Sequence, residues 1–237
     1  FIDFHLRTRM HDGVDFTGES ELQLDSELVR FMDIAVDSQG QPFAAWAGQD
    51  AMGSIGIHSS RFSFGDDSWG AVEVMASPAD EPLADLSVVL EPSGAEWMLY
   101  RGTGAAANDL SLRRRTSATD PFDAPVTVDM GDSTPEDPVL AVGNGHAYVV
   151  WSHNDGTNHY PVLSRHYSSG DDSWDDIVLL ADNPEYDVLP TFTVGADGQG
   201  RAVLVYEVAP SANLDHVYAQ HFWPGKGGWQ DAELLED

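Results

Sequence analysis

The chain contains no cysteine, which excludes disulfide staples and thiol chemistry and leaves the compartment open. Positive charge is scarce: 11 Lys and Arg stand against 40 Asp and Glu, and Lys226 is the only lysine. The formal net charge is −29. A field of that sign repels nucleic acid and anionic lipid, so neither is an expected partner. No stretch approaches the roughly 18 apolar residues of a membrane span, and membrane insertion is not expected. No segment holds the three-to-four spacing of an amphipathic helix. No nucleophile motif, phosphate loop or zinc signature is present, and no cofactor is expected. There is no signal peptide and residue 1 is Phe, so the chain reads as processed or cut from something longer.

What is present is globular: 42% hydrophobic residues, with 7 Trp, 7 Tyr and 10 Phe, enough for a large core. The acidity admits two explanations. Hydrated carboxylates keep a protein soluble in high salt, where their repulsion is screened. Clustered aspartates could instead hold Ca²⁺, a hard cation that takes oxygen ligands. Lysine depletion runs along the whole chain, which favours a saline setting.

The strongest signal is a repeat. One aromatic recurs at Phe16, Trp69, Phe122, Trp174 and Trp229, about every 53 residues. A second recurs at Trp46, Tyr100, Trp151 and Tyr206. Six residues before each of these stands a glycine: Gly40, Gly94, Gly145 and Gly200. Within one unit, Val139 to Val142 is a short apolar run and Gly143-Asn144-Gly145 is a turn. Ala147 to Trp151 is a second run, and Pro161 to Tyr167 a third. Ser169 to Asp172 turns the chain into Trp174 to Leu180. Four short strands per unit predict an all-β protein built of propeller blades of four antiparallel strands.

The expected division is a half-blade over 1–25 and full blades over 26–78, 79–132, 133–183 and 184–237. Half a blade plus four full blades would leave sheet edges and apolar faces open, which proteins avoid. The ring is therefore expected to be larger, with further blades upstream or on another chain.

The segments Pro138 to Val142, Gly145, Val149-Val150-Trp151, Asp155-Gly156, Arg165-His166-Tyr167 and Gly170 to Trp174 resemble a repeat of secreted bacterial proteins. That repeat is taken to form propeller blades broadly similar to those of the sialidase superfamily. The resemblance implies the fold and export, and it transfers no catalytic residue. A sialidase Asp box reads S-x-D-x-G-x-x-W. In Ser63 to Trp69 the glycine lies four residues before the tryptophan, and Ser169 to Trp174 shows the same shift.

Several groups could carry function, and each has a blander role as well. Arg7, Arg9, Arg61, Arg113, Arg114, Arg115 and Arg165 fall on third strands. They could grip oxyanions, yet pairing with neighbouring aspartates is the commoner fate. Asp66-Asp67, Asp171-Asp172 and Asp175-Asp176 could bind Ca²⁺, but Asp is a favoured turn residue. His153 and His159 flank Asp155 in a loop that could hold a transition metal, although the other units carry no matching set. The recurrent tryptophans Trp46, Trp69, Trp151, Trp174 and Trp229 read as packing between blades. Trp97, Tyr160, Tyr186 and Trp223 lie outside that register, and Tyr160 and Tyr186 on loops are the better ligand contacts.

Ligands of a propeller meet one rim, where loops from successive blades converge. The expected ligand-binding residues are Asp50, Arg101, His153, Asp155, His159, Tyr186 and Asp215, all variable between units. The expected function is an extracellular or cell-surface propeller module binding a glycan or a protein. The alternatives are a glycan-processing, sialidase-like enzyme with its site partly outside this chain, and a structural spacer or assembly subunit.

Overall fold

A computed structural model of the chain describes residues 5–8, 20–23, 28–49, 55–76, 82–102, 109–129, 134–154, 160–182, 191–211 and 214–236. Among them there is no α-helix, and no helix long and apolar enough to cross a membrane. Two short strands come first, β1 (His5–Thr8) and β2 (Ser20–Gln23), paired antiparallel.

Four larger antiparallel sheets follow. Sheet one holds β3 (Leu28–Val36), β4 (Pro42–Gln49), β5 (Ile55–Ser63), β6 (Ser68–Trp69) and β7 (Glu73–Ala76). Sheet two holds β8 (Pro82–Leu90), β9 (Glu96–Gly102), β10 (Leu110–Arg115) and β11 (Val126–Thr127). Sheet three holds β12 (Thr134–Gly143), β13 (His146–Asn154), β14 (Val162–Ser168), β15 (Ser173–Trp174) and β16 (Val178–Ala181). Sheet four holds β17 (Phe192–Ala196), β18 (Ala202–Ser211), β19 (Leu214–Trp223), β20 (Gly228–Trp229) and β21 (Glu233–Glu236). Each sheet is a meander of three long strands and an outer fourth. In sheets one, three and four that fourth strand is two short pieces, both paired to the third strand. The first strands of successive sheets lie side by side, and the sheets stack face to face in chain order. This is the arrangement of consecutive propeller blades.

Local chemistry explains the repeat. Gly40, Gly94, Gly145 and Gly200 all have positive φ, from 72° to 93°, and close the turn between first and second strands. That conformation is open to glycine at little cost. Gly143 is needed for a different reason: a Cβ there would sit 2.2 Å from the Asp197 carbonyl oxygen of sheet four. Asp37 and Asp197 brace their turns by accepting two backbone N–H bonds each.

From sheet two onward the recurrent aromatics pack between sheets, whereas Trp46 and Trp69 cluster with Val29 and Val72 of their own sheet one. Trp46, Tyr100, Trp151 and Tyr206 are almost wholly buried, while Trp69, Trp174 and Trp229 are half-buried against the same clusters. Trp97 requires a correction. It shares a register with Phe43 and Tyr148, three residues before the recurrent second-strand aromatic, and all three are buried. It belongs to the repeat, hidden because the residue type varies.

The described third-strand arginines are engaged at sheet junctions. Arg113 donates to the Met75 carbonyl of the preceding sheet at 2.8 Å. Arg165, in the same register, donates to the Thr127 and Val128 carbonyls of its own preceding sheet. Arg61 and Arg115 share the fully buried carboxylate of Glu96. Arg114 lies between Asp123 and Asp172. Aspartate pairing was the expectation, and carbonyl capture is the recurring addition to it.

Candidate functional site at the start of the inner strands

Strands β8 and β12 break register near their beginnings. β8 slips between Pro82 and Ala84 and again between Ala84 and Leu86, and β12 slips between Glu136 and Val139. Asp85 and Asp137 lie in these bulges, with φ of 59° and 49°. Asp tolerates that left-handed region better than most residues, and a bulge re-aims its side chain. Asp85, Asp137 and Glu136 are thereby brought into one electrostatic neighbourhood.

Arg101 lies against them at the end of β9. Its Nη1 donates to the Pro135 carbonyl at 2.8 Å, joining sheet two to sheet three. Its Nη2 stands 3.0 Å from Asp85 Oδ2. That contact has the distance of an ion pair without the geometry of a hydrogen bond. Asp85 Oδ2 and Arg101 Nε are both buried and lack a hydrogen-bond partner. Burial pushes the Asp85 carboxyl above its ordinary range. Arg101 opposes this, and Asp137 and Glu136 reinforce it. Beside Asp85 lies a pocket of about 170 Å³, walled by Phe31, Met32, Leu86, Leu99 and Pro138 and edged by Ser87.

Of the seven expected ligand-binding residues, Arg101 and His153 are related through Pro135. His153 is the strand partner of Pro135, whose carbonyl Arg101 holds, and His153 donates its backbone N–H to Pro161. Asp215 lies on β19, with its side chain outside the described residues. Asp50, Asp155, His159 and Tyr186 also lie outside the described residues. Tyr160 is half-buried. Asp85, Glu136 and Asp137 were missed in the sequence. The available signal was an acid recurring one repeat apart, at Asp85 and Asp137, at the head of an apolar run.

The acidic turns have structural work. Ser63 donates to Asp66 at 2.9 Å and Ser168 to Asp171 at 3.4 Å, while Asp67 and Asp172 supply the left-handed turn residue. Among the described residues, no three metal-ligating side chains gather. A larger cavity of about 610 Å³ lies among the first-to-second strand turns of sheets two to four. The Glu91 carboxylate there is occupied by Trp97 Nε1, Ser93 Oγ and the Gly145 N–H, so it serves the junction.

No protein-family profile matches the sequence, and no curated protein matches it. Solved structures do. The α-L-arabinanase of Penicillium chrysogenum, complexed with arabinobiose, aligns with a TM-score of 0.57 at 10% identity, over 87% of this chain and 66% of that one. The GH93 α-L-arabinofuranosidase of Fusarium graminearum, also with arabinobiose, gives 0.57 at 12% identity, over 87% and 66%. An ulvan lyase bound to -[GlcA(1-4)Rha3S]- gives 0.54 at 10% identity, over 86% and 57%. The chain thus spans two thirds or less of these proteins. At such identities the likeness shows fold alone, and that fold is the all-β propeller.

Proposed function

We propose that the chain is a carbohydrate-binding propeller module whose ligand meets the rim at the start of the inner strands. The observation that carries this reading is the Asp85–Arg101 pair beside a small pocket of mixed lining. The exposed parts of the Asp85 carboxylate and the Arg101 guanidinium can bind sugar hydroxyls, while half-buried Phe31 and Pro138 offer the apolar surface that a sugar ring's C–H face requires. The connections from second to third strands leave each sheet at the same end as Arg101, so Asp50, Asp155 and His159 belong to this proposal, and Tyr186 joins them from the link between sheets three and four. The fold neighbours carry arabinobiose or an ulvan repeat in the same general architecture, which supports a glycan over a protein ligand. A net charge of −29 disfavours polyanions, so the ligand class is a neutral oligosaccharide. An extracellular, saline setting fits the composition.

Calorimetry with neutral arabino- and gluco-oligosaccharides and with a sulfated uronic oligosaccharide tests this. Binding of a neutral ligand, weakened at least about tenfold by Asp85→Asn and by Arg101→Ala, is expected, because each removes a charge-assisted bond of about 1.5–3 kcal/mol. Identical affinities in wild type and both variants would place the ligand elsewhere. A processing reading has one observation behind it: Asp85 holds its proton above the usual range beside two other carboxylates, as a general acid must. Release of reducing ends that stops in Asp85→Asn would select that reading over binding alone.

A further inference from the structure

Sheets two, three and four bury the same face of their first strand on the sheet before. In sheet two, Leu86, Val88 and Leu90 pack against Phe43, Ala45 and Ile57 of sheet one. In sheet three, Leu140 and Val142 pack against sheet two. In sheet four, Phe192, Val194 and Ala196 pack against sheet three. The register equivalents in sheet one are Met32, Ile34 and Val36, fixed by their pairing with Trp46, Ala44 and Pro42. These three are 57%, 54% and 56% exposed, against 4% for Val88 and 8% for Leu140. The preceding sheet contains, among the described residues, only β1 and β2, and β2 runs beside the outer strand β6.

The far end of the array is built differently. The open face of sheet four carries Thr193, Gly195 and Val203. Val203 holds the register where Phe43, Trp97 and Tyr148 bury aromatics under the next sheet. Terminal faces of stacked repeats are expected to lose apolar bulk in this way. Sheet one has kept it, so its face is not built as an end.

We infer that the Met32–Ile34–Val36 face of β3 receives the two inner strands of one further sheet, a hairpin of this same repeat added edgewise to β1 and supplied in cis ahead of it. Strand order within every unit puts the inner hairpin before the outer one. Second and third strands here are joined by only two to seven residues, so a hairpin in that place ends close to His5. Its second strand should carry an aromatic in the register of Phe43, Trp97 and Tyr148, and its faces should alternate as β4 and β9 do.

The test places this chain's own inner hairpin, residues 82–106, directly ahead of Phe1, which preserves the natural spacing. The fused protein is expected to melt several degrees higher, on the order of 2–4 °C for each kcal/mol gained. It should bind at least about twofold less of a dye that reports exposed apolar surface. Ile34→Asp in the fusion should cancel both effects. If the fusion does not fold, a synthetic peptide of residues 82–102 is titrated into the unfused chain, and binding lost in Ile34→Asp carries the same meaning. A fusion with unchanged melting and dye binding overturns the inference, as does a peptide that the folded chain ignores. An unfused chain that dimerises, and becomes monomeric as Ile34→Asp, overturns it in favour of a second copy as the occupant.

Discussion

In sheets three and four the second strand carries a small residue opposite an aromatic near the end of the third strand: Ala147 pairs with Tyr167, and Ala202 with Phe222. In sheet two the same register pair is Glu96 and Arg115. The third-strand aromatics of sheets three and four meet a tryptophan of their own outer strand, Tyr167 on Trp174 at 5.4 Å and Phe222 on Trp229 at 5.5 Å. Arg115 instead lies over Phe122 at 4.6 Å. Across the junction, sheet one sends Arg61 to Glu96, while sheet three sends His166, in the register of Arg61 and stacked on its own strand partner Tyr148, against Phe222 of sheet four. One backbone register therefore accepts an ionic junction or an aromatic one. What it requires is a filled volume and, where a carboxylate is buried, cations on both its oxygens.

Removing the shared carboxylate should break this comparison most severely. Glu96→Ala removes the one fully buried carboxylate shared by the two arginines, leaving buried Arg115 to the half-exposed Glu73 at 2.9 Å and Arg61 to Asp37 at 3.3 Å and the Phe43 ring. A loss of about 3–5 kcal/mol is expected in urea unfolding. Adding Arg115→Phe recreates the alanine–aromatic pair of the other sheets and should return stability to within about 1–2 kcal/mol of wild type. A double variant as weak as Glu96→Ala would mean that the registers are not interchangeable.

A smaller effect sharpens the aromatic side. Tyr148 donates its hydroxyl to the Gly200 carbonyl across the junction of sheets three and four. Tyr148→Phe keeps the ring stacked on His166 and should cost about 1 kcal/mol in the same measurement. No change would assign that junction to ring packing alone.

The smallest effect is a pH dependence confined to the same junction. His146 Nδ1 lies 2.9 Å from His166 Nε2, and His166 Nδ1 lies 2.7 Å from Asp175. Two rings sharing one bond hold one proton between them, and a second protonation breaks it. The His146 imidazole is pushed below its ordinary value of 6.5, first by burial and then by His166, against the pull of Glu91, Asp171 and Asp175. The folded state therefore binds this proton less readily than the unfolded chain. Its contribution is fully present above pH 6.5 and is lost as pH falls through the folded value. Melting curves from pH 8 to 5 at constant ionic strength should show that decline, and His146→Gln should flatten it. An unchanged slope in His146→Gln would assign the decline to other groups.

Much of the architecture was legible because its determinants are local. Gly40 and Gly200 mark turns that need positive φ, and alternation around Trp46 and Trp151 reads directly as strand. Trp97 was misfiled because Phe43, Trp97 and Tyr148 share a register but not a residue type. The candidate site was legible in part. Arg101 stands out in the sequence as a variable residue at a strand end. Asp85 and Asp137 do not, because one acid among 40 stands out only when a bulge turns it toward an arginine on the neighbouring strand.

By itself the sequence determined an all-β repeat with four strands to each unit, because turn conformation and two-residue alternation act over a few neighbouring residues. Tertiary structure decided which charges are joined. Glu96 meets Arg61 from 35 residues away and Arg115 from 19, and Arg101 reaches Pro135 across 34. Such pairings depend on how one sheet lies on the next. A buried carboxylate takes whichever cations that stacking brings within reach, and no spacing rule along the chain specifies them.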